Sequence, residues 1–421
     1  MSNEITIQDR QELIYLLTEA AELEHGLCCS YLFAAFSLKA AASEELSAEE
    51  LAAVTRWKQT ISGIAAQEML HLALANNLLT ALGTGPHFRR PNFPVAPRYY
   101  PPEIQLQLRA FSEETLEHFI YIERPEDLAV EDAASYHAQA AQPALVTQAV
   151  IVPTEQEYAT VNHLYRGIEA NIRHLVDKYG EERVFIGPAR AQASTHYFQF
   201  DGLAPVTDLA SAVAAIDLIV AEGEGDRDHI ADSHYGKFVR IREELAALKQ
   251  QRAGFAPARP VLANPYAERP ADAAGGNLID DPYTARVSEL CNAAYETLLE
   301  MLTRFFIHAE ETEAELKALI DAAIMLMFDV VRPLGEALTT LPAGPAHPGN
   351  TAGASFAIYR SGYALPHRHA AWRVLHERLR ELAAYCGGLE DEPRAPAGLA
   401  RVSIALADLA ETLGRHSGPR S

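Results

Sequence analysis

The chain of 421 residues is 48% hydrophobic and 22% charged, enough apolar material for one large or two ordinary packed domains, which excludes bulk disorder and fibrous repeats. Lys and Arg total 35 against 57 Asp and Glu, a net charge of −22. Such a surface repels phosphate backbones and anionic headgroups, so neither nucleic acid nor a membrane is an expected partner.

Apolar residues recur at helical spacing through most of the chain, and Ala, Leu and Glu dominate those segments, so the expected class is all-α. The first helix is predicted from about Gln8 to Ala41, with an apolar stripe through Leu13, Leu17, Ala20, Leu27, Tyr31, Ala35 and Leu38. Glu24 falls on that line and is expected to face the core. The second runs from about Ser47 to Leu82, where Gly83 and Gly85-Pro86 stop it. Its stripe, from Trp57 through Ile61, Ile64 and Leu72 to Leu79, carries Glu68 and His71, an inward Glu-x-x-His pair. Another copy, Glu22 with His25, lies off the apolar line of the first helix and is expected on a solvated face.

From Thr84 to about Pro153 prolines break the periodicity, which predicts a long crossover holding one short helix at Ser112–Phe119. The third helix is predicted from about Thr154 to Tyr179, with Glu169 among Tyr165, Ile172 and Val176 as a third inward acid. The fourth runs from about Thr207 to Glu222, meets Gly223 and Gly225, and resumes from Asp232 to Gln251. There Glu224 offers a fourth acid and His234 a second imidazole. Because Ala231, not an acid, stands three before His234, the alternatives Glu222, Asp226 and His229 stay open.

These helices, over residues 1–255 with the crossover at 84–153, are expected to form one metal-binding bundle. Residues 256–282 read as a surface linker rich in Pro, Ala and Gly. Beyond it, 283–386 is predicted as a helical region packing on the bundle and walling a substrate pocket, with helices at Pro282–His308, Glu311–Leu341 and Pro366–Cys386. Residues 387–421 are expected to form a partly ordered tail. His367, His369 and His376 read as residues of a solvated face.

An isolated buried carboxylate protonates or is excluded, so four inward acids need compensating positive charge, and no inward Lys or Arg is in phase with them. Two metal ions would supply it. A Glu on each of two helices with a Glu and a His on each of two others is the two-metal carboxylate arrangement of helix bundles. The expected ligands are Glu24, Glu68, His71, Glu169, Glu224 and His234, a donor set suited to two iron ions, with manganese or a mixed pair as the alternative. Tyr31 and Tyr165 are the candidate catalytic side chains, placed to donate hydrogen bonds or electrons beside the metals. Cys28, Cys29, Cys291 and Cys386 form no C-x-x-C pair and read as buried thiols of a reducing compartment. Glu4, Asp9 and Glu12 stand where a secretory signal would be basic and then apolar, and no run reaches the roughly 20 apolar residues of a bilayer span. The expected location is the cytoplasm.

Leu23-Glu24-His25-Gly26-Leu27-Cys28-Cys29-Ser30-Tyr31-Leu32, Gln67-Glu68-Met69-Leu70-His71-Leu72 and Asn77-Leu78-Leu79-Thr80-Ala81 together resemble the ferritin-like domain related to iminophenyl-pyruvate dimer synthases of bis-indole pathways. Ile122-Glu123-Arg124-Pro125-Glu126, Gly223-Glu224-Gly225, Ser233-His234-Tyr235 and Leu365-Pro366-His367 are similar to further blocks of that family. The resemblance implies a ferritin-like four-helix bundle and a non-haem iron oxidoreductase using dioxygen on amino-acid-derived imines, in some members coupling two of them. It favours Glu224 over Glu222, because Gly-Glu-Gly is the matching block. It departs in length, since the bis-indole synthases are much longer chains. A small-molecule substrate is the expected partner, with a monomer or homodimer as the assembly. The alternatives are a ferritin-like iron-binding protein or ferroxidase, and a non-catalytic metal-binding or scaffold protein.

Overall fold

The computed structural model describes residues 9–95, 105–126, 128–136, 158, 160–224, 230–269, 276–359 and 366–418, and the protein is all-α. Among the described residues, no helix is long and apolar enough to cross a membrane. The chain divides into two compact units, 1–195 with 200–258, and 196–199 with 259–421.

The first unit is built on α1 (Arg10–Ser37) and α2 (Ala48–Ala81). The Asp9 carboxylate accepts from the N–H groups of Gln11 and Glu12 to start α1, and Ser47 and Glu50 form a reciprocal box at the start of α2. Arg10, at the start of α1, donates to Leu82 O at the end of α2 (2.8 Å), so the two pair antiparallel. The predicted stripe of α1 is buried throughout, but burial does not stop there: from Leu23 to Tyr31 no residue of α1 is open to solvent. His25, expected on a solvated face, is therefore in the interior at 4% exposure, and Glu22 pairs with His87 Nε2 at 3.0 Å. The physical reason is that the segment after α2 covers this flank of α1; Arg90 there is buried and reaches Cys29 Sγ at 3.6 Å.

In the crossover, α3 (Glu113–Ile122) is capped by Ser112 and packs on α7 (His234–Gln251). Between them in sequence come α4 (Val161–Tyr179), the single turn α5 (Glu181–Val184) and α6 (Leu209–Gly223). α4 packs on α1 and α6, while α6 and α7 both pack on α2. The predicted start of the third helix, 154–157 and 159, lies outside the described residues.

The second unit holds α8 (Pro282–Phe306), α9 (Glu313–Leu326), α10 (Arg332–Leu338), α11 (Arg368–Glu390) and α12 (Leu399–His416). A wide π turn at Met327–Val331 joins α9 to α10 where the sequence predicts one continuous helix. Pro333 lacks the N–H that a regular ladder would use and crowds the preceding turn, which accounts for the widening. The stretch read as a linker is part of this unit: Val261 and Leu262 are buried, Leu262 N donates to Thr351 O (2.8 Å), and Pro265–Tyr266 pairs with Asn277–Leu278. The stretch read as a partly ordered tail contains α12, which buries Leu399, Val402, Leu406, Leu409 and Leu413 along one face against α11 and α9. A regular apolar stripe needs only such a partner to hold a helix.

One glycine fixes how α7 begins. A Cβ on Gly236 would lie 2.0 Å from Ile230 O and 2.8 Å from Ala231 Cα, so the turn before α7 passes against a bare backbone. Gly236→Ala should push that turn away from the first residues of α7, where His234 sits. A loss of about 1–3 kcal/mol in urea unfolding is expected; unfolding at the wild-type midpoint would refute the close packing.

Candidate functional site

α1, α2, the end of α3 and the start of α7 deliver five ionisable side chains to one buried point. Glu24 lies midway along α1, and Glu68 and His71 share a face of α2 one turn apart. His234 is the first residue of α7, set there by the Ser233 cap, and Glu123 closes the last turn of α3. Their exposures are 1% for Glu24 and Glu68, 2% for His71, 3% for Glu123 and 0% for His234.

Glu68 is the shared member. Its Oε2 lies 3.2 Å from His71 Nδ1, and its Oε1 lies 2.9 Å from His234 Nδ1. Glu24 Oε2 stands 3.6 Å from His71 Nδ1, and Glu123 Oε1 stands 3.6 Å from His234 Nδ1. Two triads result, Glu24–Glu68–His71 and Glu68–Glu123–His234, each with donor atoms within 4.8 Å of one another. The two imidazole rings face each other at 5.5 Å between centroids.

Only part of this cluster satisfies itself, through the hydrogen bond between His71 Nδ1 and Glu68 Oε2 at 3.2 Å. Glu68 Oε1 and His234 Nδ1 are close, yet neither makes a hydrogen bond, and His234 Nε2 and Glu224 Oε1 are also buried without a partner. Buried polar atoms are nearly always paired, and donors aimed at a common point rather than at one another fit a cation. The donor set, carboxylate oxygen with imidazole nitrogen, suits iron or manganese. Burial pushes the Cys28 thiol well above its ordinary range, so it stays neutral and is a poor metal ligand.

The charge balance points the same way. Burial raises the Glu24 carboxyl to about 8. Burial also acts to raise Glu68, but the charges of His71 and His234 outweigh it and hold that carboxyl far below the ordinary range. Burial opposes charge on both imidazoles. Glu68 overcomes it and lifts His71 well above its usual value, and Glu68 with Glu123 lifts His234 to about 9. Without a cation, this centre favours protons on Glu24 and on both imidazoles.

Tyr165 Oη donates to Glu24 Oε1 (2.6 Å), and Tyr31 Oη donates to Glu123 Oε1. Each phenol therefore sits on the outer carboxylate of one triad. Burial first, then the neighbouring carboxylates, pushes both phenols well above their ordinary range, so they remain donors. Phe119 and Phe238 pack on the Tyr31 ring at 4.6 and 5.1 Å between centroids, an apolar backing for the second triad.

Of the predicted ligands, the structure brings Glu24, Glu68, His71 and His234 together and sets Glu224 beside them. Glu224 is buried, accepts from Asn162 Nδ2 (3.0 Å) through Oε2, and is raised to about 7 by burial, with the Glu123 charge adding to the effect. Glu222 also meets the site, but through the far nitrogen, its Oε2 3.0 Å from His71 Nε2. Asp226 and His229 lie outside the described residues.

Glu169 does not join them. Arg166 Nη1 holds its Oε2 at 2.7 Å and Arg173 Nη2 its Oε1 at 2.8 Å, both from within α4 and both open to solvent. The buried line of α4 runs through Leu164, Tyr165, Ile168 and Leu175, and Glu169 stands at its edge, where neighbours one turn away capture it. The acid completing the second triad is Glu123, which is not among the expected ligands. A signal for it existed, because Leu116, Phe119 and Ile120 define a stripe whose next inward position is 123.

Comparison with known proteins identifies the family. A family model described as Ferritin-like matches residues 17–243. Dichlorochromopyrrolate synthase of Lentzea aerocolonigenes is 28% identical over 90% of this chain and 39% of its own length. The 2-imino-3-(indol-3-yl)propanoate dimerase of Chromobacterium violaceum is 29% identical over 82% of this chain and 34% of its own length. The chain thus spans well under half of either relative. A crystal structure of a ferritin-like protein from Caulobacter vibrioides matches 78% of this chain and 97% of its own, at 18% identity and a TM-score of 0.46. With two acid-imidazole triads inside a helical unit, and a family match over more than half of its length, the chain belongs to the Ferritin-like family.

Proposed function

We propose that this chain is a non-haem iron enzyme whose Glu24–Glu68–His71 and Glu68–Glu123–His234 triads would hold two metal ions, and that it uses dioxygen to oxidise or couple a small amino-acid-derived imine. The observation that carries the reading is the pair of buried triads sharing Glu68, with Glu68 Oε1 and His234 Nδ1 buried side by side without a hydrogen bond. Glu24 and His71 would hold one ion and Glu123 and His234 the other. Glu224 lies beside the second with a buried oxygen still unpartnered. Bound iron supplies the redox chemistry and dioxygen activation that no side chain offers.

The chain's own groups then have definite tasks. Glu68 offers one oxygen to each half of the site. Tyr165 and Tyr31 restrain Glu24 and Glu123 by engaging one oxygen of each. Phe119 and Phe238 keep water from one side. The substrate class rests on the two named relatives, one a synthase and one a dimerase of an indolyl imino acid. A small-molecule substrate and a cytoplasmic monomer or homodimer belong to the same proposal.

Anaerobic reconstitution with ferrous iron should give about two ions per chain, followed by oxygen uptake when an aromatic α-imino acid is supplied. Glu68→Ala should lose both ions, whereas Glu169→Ala should keep both, because Glu169 is engaged by Arg166 and Arg173. Wild-type protein that takes up no iron would overturn the reading. Very large assemblies that oxidise iron alone would favour storage.

A pH series supplies a separate check. Glu24, at about 8, and His234, at about 9, lie above their unfolded values, so their contribution to metal-free stability is complete at low pH and is lost as pH rises through those values. The thermal midpoint of metal-free protein should fall from about pH 6 to pH 9. The metal-loaded form should be flatter, because metal binding expels those protons and tightens as pH rises. Parallel pH profiles for the two forms would refute the assignment of these groups to the metal.

A further inference from the structure

His71 is held on both sides of its ring. Nδ1 faces Glu68 and Glu24, while Nε2 faces Glu222 Oε2 at 3.0 Å. A carboxylate on the far nitrogen cannot share an ion with Nδ1, so Glu222 is not placed as a ligand of the Glu24–Glu68–His71 triad. It has neighbours of its own: the side chain of Gln67 and the ammonium of Lys237 both act on the Glu222 carboxylate, and the oxygen of Gln67 accepts from Lys237 Nζ at 2.9 Å. Gln67 precedes Glu68 on α2, Glu222 lies in the last turn of α6, and Lys237 is one turn past His234 on α7. The line Lys237–Gln67–Glu222–His71 joins three helices and leads from a half-buried ammonium to a fully buried ring. His234 has no such support among the described residues, since its Nε2 is buried without a partner.

We infer that Glu222 is a positioning residue for metal uptake, holding the His71 ring with Nδ1 aimed at Glu24 and Glu68, and that Gln67 and Lys237 fix Glu222 in turn. The inference rests on the two-metal reading and adds to it that the two halves of the site are unequal. A carboxylate on the far nitrogen sets the tautomer and orientation of a ligand imidazole and makes it a better donor, and losing such a partner costs about 10–100-fold in metal affinity. The Glu24–His71 half should therefore fill first, and its advantage should depend on Glu222.

The test is a cobalt(II) titration of metal-free full-length protein, followed by visible absorption and chelator competition. Wild type should bind two equivalents, one more tightly. Glu222→Ala should weaken the tighter one about 10–100-fold and leave the other in place. Glu222→Gln, whose amide oxygen can still accept from Nε2–H, should recover most of the loss. Gln67→Ala should weaken the same equivalent by a smaller factor and serves as the readout should Glu222→Ala misfold. Unchanged binding in Glu222→Ala or Gln67→Ala, or equal weakening of both equivalents, would overturn the inference. Wild type that binds no cobalt would instead remove the two-metal reading beneath it.

Discussion

Glu68 cannot remain ionised in a protein interior without positive charge on both of its oxygens, and the first helical unit is arranged to meet that demand. One oxygen faces His71 and the other His234, so α2 and α7 are tied to the same carboxylate from opposite sides. Glu24 and Glu123 then add negative charge that two imidazoles cannot balance fully. The raised carboxyl of Glu24 expresses that shortfall. A cation in each triad would remove it, which gives the proposed metal reading an electrostatic argument of its own.

How much of this could be read from the sequence depended on whether a residue sits within a long periodic helix. Glu24, Glu68 and His71 lie deep inside α1 and α2, where dozens of residues fix the phase, and their inward direction followed from that phase alone. The same argument misled at Glu169, because the edge of a stripe is not its centre. There the flanking arginines Arg166 and Arg173, one turn away on either side, decided the outcome. Glu123 was hidden for the opposite reason: its helix has ten residues and follows a proline-rich crossover, too short a stretch for periodicity to stand out. His25 shows a further limit, since a helix covered on every side has no solvated face for a second Glu-x-x-His to occupy.

The two halves of the centre also differ in how the chain builds them. Glu24, Glu68 and His71 come from one antiparallel helix pair, closed by a short connection and capped at both starts. Glu123 and His234 come from helix ends, one closing α3 and one opening α7 behind a turn that needs Gly236. Helix ends are less constrained than helix middles, and the second half compensates with the Tyr31–Phe119–Phe238 cluster around it. A centre with one half on rigid helix middles and one on helix termini would, if it takes up the proposed ions, have its place for rearrangement in the second half.

Protons and metal ions are alternative solutions to the same buried charge. In the metal-free protein, Glu24 and the two imidazoles retain protons at neutral pH and the helices stay packed around them. Under the two-metal proposal, loading would exchange protons for cations inside walls that already stand, since the phenols of Tyr31 and Tyr165 and the carboxylate of Glu222 are in position without any ion. Preorganisation of this kind lowers the cost of forming the metal site, because the ordering has been met by the folding of α1, α2 and α7. The same exchange would make the centre responsive to pH, since each cation would have to displace protons that the fold itself holds above their ordinary affinity.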